Sequence, residues 1–183
     1  MRNTTFAAFK YAMSPATTTV LHELAAHVRL APGRSTSPSI KEQFCGTWKL
    51  VSWKIEQPSG EVIDSPLGPD PVGWITFHPD GCMSVAIMRQ DRPTFSSSNA
   101  MEATPEDIKT GFQGYMGYCG YYAIDELEGS VTHHLQMSWF PNWVGADQKR
   151  YFEFSGDRLI LRTPPLTVFG AAQIHSLILL GNA

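Results

Sequence analysis

Turn signals follow one another at short intervals from Cys45 onward, and this spacing constrains the fold more than any other feature. The turns include PSG at 58–60, PDG at 79–81, ELEG at 126–129 and SGD at 155–157. Strand-like composition is found at 46–57, 61–64, 73–78, 82–89, 117–125, 130–139, 148–154, 158–163 and 173–180. Short strands joined by tight turns are typical of an up-and-down antiparallel barrel or a sandwich. The sequence therefore predicts an all-β domain of eight to nine strands.

Two segments depart from this pattern. TPEDIKTGFQG at 104–114 predicts one short helix, because Thr104 suits the N-cap, Pro105 suits the first helical position and acids follow in the first turn. Residues 1–43 contain TTTVLHELAAHVRL, whose apolar residues fall on one helical face, followed by the linker-like APGRSTSPS. We expect an N-terminal extension over 1–43, partly helical or disordered, and a barrel domain over 44–183.

Composition excludes several classes of function. The net charge is -3 and only 17% of residues are charged, so no basic block predicts nucleic-acid binding. No apolar run approaches the ~18 residues of a membrane span, so membrane insertion is not expected. Three cysteines without paired spacing favour a reducing compartment over a disulfide framework. We expect a cytoplasmic protein, although the acid-free first 22 residues resemble an organelle transit peptide and leave organelle targeting open.

Sequence motifs narrow the chemistry further. The nucleophile-elbow pattern GxSxG, the Gly-rich phosphate loop and the dinucleotide fingerprint do not occur in the sequence. No cysteine or histidine spacing predicts a zinc site. We therefore expect no metal and no cofactor, and a small hydrophobic ligand or substrate as the partner; a homodimer stays open.

A histidine doublet lies in VTHHLQMSWF at 131–140, where alternation separates its members. Neighbours on a strand point to opposite faces, so His133 and His134 cannot share one role. If ELEG is a four-residue loop, His133 opposes Tyr122 on the apolar phase. His134 then pairs with Tyr121 on the outer face.

The flanking hairpins have apolar phases that agree with this assignment. With PDG as a three-residue loop, Phe77 meets Met83, which leaves His78 outside. If Trp139 opposes Gln148, the next hairpin brings further apolar residues and one arginine to the same face. The predicted inner face comprises Phe77, Met83, Val85, Tyr118, Tyr122, His133, Leu135, Met137, Arg150, Phe152 and Phe154.

Several segments resemble one known family. GTW at 46–48, PDGCMSV, VTHH, FPNWVG and GDRLILRTPP are similar to the bacterial and fungal lipocalin-like domain family, over roughly residues 44–180. The resemblance implies an up-and-down barrel with an internal cavity. It also implies a choice of activities, because lipocalin-like proteins of natural-product pathways include cofactor-independent cyclases and isomerases as well as carriers. The family supplies no agreed catalytic motif, so no catalytic residue is carried over from it.

Three inward polar residues are the catalytic candidates. His133 suits proton transfer near neutral pH, Tyr122 could orient it or donate to an oxyanion, and Arg150 could bind a carboxylate, enolate or polarised carbonyl. Each has a structural alternative: His133 as a buried histidine bonded to a tyrosine, and Arg150 as the barrel-closing arginine that stacks on Trp48.

The remaining inner residues are the ligand-binding candidates, together with Trp143 on the FPNWVG loop. Trp143 is either a lid over a ligand or packing at the barrel base. Tyr118 either lines an entrance or packs the short helix on the barrel. The other candidates are Phe77, Met83, Val85, Leu135, Met137, Phe152 and Phe154.

The leading functional hypothesis is a cofactor-independent enzyme of secondary metabolism. It would bind a polyketide- or terpenoid-like substrate in the barrel and promote cyclisation, isomerisation or dehydration. The alternatives are a non-catalytic carrier of a small hydrophobic ligand, and an interaction module whose barrel is filled by its own side chains.

Overall fold

The computed structural model describes residues 38–168 and 171–181. Two helices, α1 (Ile40–Phe44) and α2 (Pro105–Gln113), accompany ten strands in this part of the chain. The strands are β1 (Gly46–Glu56), β2 (Val62–Asp64), β3 (Val72–Phe77), β4 (Cys82–Met88), β5 (Tyr115–Asp125), β6 (Ser130–Ser138), β7 (Asp147–Ser155), β8 (Arg158–Arg162), β9 (Leu166–Val168) and β10 (Ala171–Leu180). The helix predicted around 20–28 lies outside the described residues.

Eight strands close an antiparallel barrel, as the sequence predicts. Each of β3 to β8 pairs with its neighbour along the chain, β10 follows β8, and β1 pairs with both β3 and β10. Closure leaves none of these eight strands as a free sheet edge. The short β2 and β9 lie outside the ring, paired with β1 and β10 respectively. The sequence did not predict β9.

The plugged end of the barrel is the end that carries α1. Phe44, the last residue of this helix, is fully buried. Its ring makes edge contacts with Phe77, Phe152 and Phe154 at centroid distances of 5.1, 5.0 and 5.1 Å. The indole of Trp48 donates to the Phe44 carbonyl at 2.8 Å. An aromatic cluster of this size closes the barrel with apolar packing and edge-to-face contacts.

The loop end is the opposite end, where the connections 65–71, 89–114 and 139–146 lie. Helix α2 belongs to the second of these, and it begins as predicted at Thr104 and Pro105. Thr104 and Asp107 form a capping box. Hydrogen bonds from Ser96 and Thr104 lower the pKa of the Asp107 carboxyl to about 2. Local polar contacts therefore fix the start of α2 at the loop end.

The predicted hairpin registers are confirmed where the turns are tight. Phe77 pairs with Met83 and Tyr122 pairs with His133. The β7–β8 hairpin likewise pairs Phe154 with Leu159. His78 is exposed as expected.

The predicted inward position of Met137 is wrong. The β5–β6 register shifts between Cys119 and Gly120, so that Gly120 pairs with Leu135 but Cys119 pairs with Met137. The extra residue is Gln136, and such a bulge moves every later side chain to the other face. Met137 is consequently 65% exposed.

The predicted pairing of Trp139 with Gln148 is also wrong. Gln148 pairs with His133, six residues earlier on β6. The shift is an even number of residues, so the faces are preserved: Arg150 now opposes Val131, which is fully buried, in place of Met137. The intervening chain forms a longer loop that includes a helical turn at Pro141–Trp143.

Candidate functional site

The histidine doublet divides between the two faces of β6, as alternation predicts. His133 is only 1% exposed and lies in the interior. His134 faces outward, where its Nδ1 lies 2.6 Å from a carboxylate oxygen of Asp147. Burial, with the positive charge of Arg150 as a second cause, holds the pKa of His133 well below its usual value. His133 is therefore a neutral imidazole at physiological pH.

Tyr118 is the phenol that contacts His133. Its hydroxyl lies 3.2 Å from His133 Nδ1, and both residues are buried. Burial raises the pKa of the Tyr118 hydroxyl, while the Arg150 guanidinium opposes this shift by interacting with it. The ring of Trp143 packs edge-on against Tyr118 at 6.2 Å. Trp143 therefore packs on Tyr118 from the loop end.

The positive charge of Arg150 acts on the groups of this site. Its guanidinium donates to the Lys149 carbonyl at 2.8 Å and to Gln148 Oε1 at 2.7 Å. Its charge lowers the pKa of His175 as well as that of His133, after burial in each case. A half-buried cation thus lies within electrostatic reach of two histidines and a tyrosine.

Two further inward residues were missed by the sequence reasoning. Trp53 is 7% exposed, and its ring lies 5.8 Å from that of His175. A register shift between Leu50 and Ser52 turns Trp53 inward, which simple alternation from Trp48 would not predict. His175 shares a phase with Leu177 and Leu179, and this signal could have found it.

Three buried nitrogens of this group have no hydrogen-bond partner among the described residues. They are Trp53 Nε1, His133 Nε2 and His175 Nε2. Buried polar atoms are nearly always satisfied in native proteins, and each exception calls for an explanation such as a catalytic role or a bound water or ion. We name the set Trp53, Tyr118, His133, Arg150 and His175 the inner polar cluster.

Tyr122 does not join the inner polar cluster, although it faces His133 in register. Its hydroxyl donates to the His78 carbonyl at 2.8 Å, toward the plugged end, and lies 3.9 Å from Cys45 Sγ. Burial, followed by the contact with Cys45, raises its pKa. The expected contact between Tyr122 and the imidazole is thus replaced by a contact from Tyr118, which lies on the same strand but nearer the loop end.

The predicted apolar lining falls into two groups. Phe77, Met83, Val85 and Leu135 are buried in the barrel core. Phe77 also contacts the His133 ring at 5.7 Å. Phe152 and Phe154 are partly buried and pack around the plug at Phe44. The first group borders the inner polar cluster, whereas the second seals the other end.

A lipocalin-like domain model matches residues 45–177 of the chain. This match spans the whole barrel from the start of β1 into β10. The chain belongs to the lipocalin-like domain family. The resemblance recognised from the sequence segments therefore holds at the level of the family and its fold.

Two known proteins are similar to this lipocalin-like domain. The 4′-hydroxy-3′-methoxypropiophenone carrier protein of Aspergillus oryzae is 30% identical over 98 residues, which cover 50% of this chain and 88% of that protein. A crystal structure of an uncharacterized protein from Bacteroides eggerthii covers 76% of this chain and 99% of that chain, with 15% identity and a TM-score of 0.37. The structural likeness is too low to carry an argument.

A groove of about 200 Å³ lies on the outer face of the lipocalin-like barrel. Val72, Trp74, Met88 and Tyr115 line it, together with Lys49. These side chains point away from the barrel core, so the groove and the inner polar cluster lie on opposite faces of the sheet. It is a second place where an apolar molecule could lie, and experiments on ligand binding have to distinguish the two.

In the part of the chain that the structure describes, no three histidine, cysteine, aspartate or glutamate side chains meet in a group that could hold a metal ion. Within the same residues, no helix has the length and apolar character needed to cross a bilayer.

Proposed function

We propose that this lipocalin-like protein binds a small, largely apolar organic molecule in the half of the barrel nearest the loop end, and carries it. The observation that carries the proposal is the inner polar cluster, where polar groups from five strands converge inside an apolar core. Apolar walls with a few convergent polar groups are the usual form of a small-molecule site. The walls nearest the loop end are Val85, which pairs with Tyr118, and Leu135, while Phe77 contacts the His133 ring from the side of the plug.

The relative from Aspergillus oryzae supports the same proposal. Its name describes a carrier of an aryl ketone, and the similar region covers 88% of its length. An aryl ketone combines a flat apolar ring with a carbonyl acceptor. That combination matches apolar walls around a set of buried hydrogen-bond donors.

Trp143 provides the proposed gate. Its ring covers Tyr118, and it packs in turn against Trp139 and Phe140 at 5.8 and 5.7 Å. Trp139 stacks on Phe112 of α2 at 4.5 Å. In this proposal the ligand enters past the 139–146 segment, and movement of that segment would set the rates of entry and release.

Catalysis is the second candidate, and the contact between Tyr118 and His133 favours it. A neutral imidazole bonded to a phenol, beside an arginine, can move a proton and stabilise an enolate. In that case the protein promotes a cofactor-independent cyclisation, isomerisation or dehydration of a polyketide- or terpenoid-like metabolite. The catalytic roles would fall to His133, Tyr118 and Arg150, with Tyr122 kept for structure.

The test uses 4′-hydroxy-3′-methoxypropiophenone as the probe, with calorimetry for binding and chromatography with mass spectrometry for its fate. We expect 1:1 binding with a Kd of about 1–100 μM and recovery of unchanged probe. A folded protein that does not bind the probe, or binds it equally after His133→Phe, would contradict the proposed site. Conversion of the probe, lost in His133→Phe, would favour catalysis over carriage.

The neighbouring histidine supplies a matched control. His134→Phe makes the same replacement on the outer face, where the side chain contacts the exposed Asp147. We expect binding by His134→Phe to equal that of the parent. Circular dichroism of both variants checks that each retains the barrel.

A further inference from the structure

We propose that the inner polar cluster selects ligands carrying an acidic oxygen, such as a carboxylate, an enol or an acidic phenol, on an apolar skeleton. This inference rests on the proposed function and makes its ligand class specific. It depends on two properties of the cluster: an excess of hydrogen-bond donors, and a positive charge that faces no carboxylate.

The donor excess follows from the residue types. The indole nitrogen of Trp53 can only donate, and it is buried without a partner. Arg150 also can only donate, and its two described hydrogen bonds use part of its five N–H groups. A ligand that satisfies these groups must therefore supply acceptor atoms.

His133 adds a further buried nitrogen. Its Nδ1 lies 3.2 Å from the Tyr118 hydroxyl, and its Nε2 is buried without a partner among the described residues. When the phenol donates its proton to Nδ1, the neutral imidazole carries its own proton on Nε2, which is then a third buried donor.

The charge of Arg150 is not balanced by any acid in the interior. Across residues 38–168 and 172–181, every aspartate and glutamate is exposed except Asp107, which is half-buried and bonded within the α2 cap. Arg150 is bonded to two neutral oxygens, and within the same residues it takes part in no ion pair. A half-buried cation of this kind favours an anionic partner, since charge-assisted hydrogen bonds are stronger than neutral ones.

Two probes of nearly equal size and shape test this preference. Cinnamate carries the carboxylate, and cinnamamide replaces it with a neutral amide on the same skeleton. Calorimetry at neutral pH should give a Kd for cinnamate about tenfold lower or better, because one charge-assisted hydrogen bond contributes ~1.5–3 kcal/mol. Arg150→Met should remove the preference, with little change for cinnamamide, and Arg150→Lys should retain part of it.

Controls separate this effect from changes in folding. Arg162→Met makes the same replacement on the outer face of β8, where the side chain pairs with Glu153, and should keep the full preference. Trp53→Phe keeps an aromatic side chain but deletes the orphaned donor, together with part of the indole volume. We expect it to weaken cinnamate binding by about threefold to tenfold, the value of a neutral hydrogen bond.

The outcomes distinguish this inference from the proposed function. Equal affinity for cinnamate and cinnamamide in the parent protein would overturn the acidic-oxygen preference while leaving apolar ligand binding intact, with ordered water satisfying the orphaned nitrogens. A preference that survives in folded Arg150→Met would overturn the role of Arg150. Failure of the parent protein to bind cinnamate, cinnamamide and the aryl ketone would overturn both proposals.

Discussion

The plugged end and the loop end of the barrel use the same residue types in opposite ways. At the plugged end, the Trp48 indole and the Tyr122 hydroxyl each donate to a backbone carbonyl. Nearer the loop end, the Trp53 indole has no partner and Tyr118 is bonded to a histidine whose other nitrogen is orphaned. Hydrogen-bond satisfaction, and not residue type or burial, distinguishes the two regions, and it is the reason that we propose the second as the binding site.

The difference also shows why one barrel can be both stable and receptive. The plug holds its aromatic rings in mutual edge contacts around Phe44, and these contacts involve no ligand. The inner polar cluster bears an energetic cost, because buried donors without acceptors lose their hydrogen bonds to water. We therefore expect the plugged end to contribute more to stability than the half that holds the inner polar cluster. Variants at the two ends should separate stability from binding.

The largest expected effect is loss of the plug. Phe44→Ala should lower the free energy of unfolding by about 3–5 kcal/mol, since it empties a fully buried aromatic site. Denaturant unfolding measures this change. Phe112→Ala, on a residue that is 44% exposed, is the control and should cost much less. If both variants lose the same free energy, the plug is not the dominant source of stability.

Acid should destabilise the half that holds the histidines. The pKa values of His133 and His175 are lowered in the folded state, so the unfolded chain binds more protons below its usual histidine pKa of ~6.5. Stability is fully present above that pH and falls as the pH drops toward the folded pKa, by at most about 1.4 kcal/mol per pH unit for each histidine. Unfolding curves between pH 7 and 5 should show a shallower loss for His133→Gln. An unchanged slope would mean that His133 is not buried as a neutral group.

Tyrosines at the two ends should respond differently to loss of the hydroxyl. Tyr122→Phe should cost about 1 kcal/mol of stability and leave ligand affinity unchanged, because its hydroxyl bonds only within the plugged end. Tyr118→Phe should weaken binding of cinnamate by roughly fivefold, as His133 loses its orienting partner. Tyr121→Phe, on the exposed face, controls for the substitution itself. If Tyr122→Phe weakened cinnamate binding and Tyr118→Phe reduced only stability, the roles assigned to the two ends would be wrong.

The smallest effect concerns the cap of α2. Thr104→Ala removes the side-chain oxygen that accepts from the Asp107 amide, and should cost about 1 kcal/mol or less. Unfolding curves should shift slightly, and ligand release should become faster if α2 supports the Trp139–Trp143 contacts. Release that stays at the parent rate would show that the gate does not depend on this helix.

Tight turns made much of the barrel predictable. The PDG, ELEG and SGD turns fix their hairpin registers locally, so Phe77, Tyr122 and Phe154 were given their correct partners. Alternation then separated His133 from His134. Both inferences depend on short-range geometry, which a single sequence contains.

Bulges and long loops limited the rest. The extra residue Gln136 reversed the face of Met137, and the shift after Leu50 turned Trp53 inward. The bulge at Gln136 had a sequence signal in Gly120. An added Cβ at Gly120 would lie 2.0 Å from the His134 carbonyl oxygen, a close approach that only glycine allows. The start of α1 also had a sequence signal, because Ser39 and Glu42 have the spacing of the capping box that the structure shows. Its role as a plug had none, because that role depends on aromatic partners distant in the sequence.

The indole resonances of the five tryptophans test the central claim most directly. In a ¹H–¹⁵N spectrum, each can be assigned by a single substitution, and Trp48, Trp53 and Trp74 report on the plugged end, the inner polar cluster and the outer groove. Addition of cinnamate should shift the Trp53 resonance, and that of Trp143 at the gate, while Trp48 and Trp74 stay in place. A shift of Trp74 with Trp53 unmoved would place the ligand on the outer face and contradict the account.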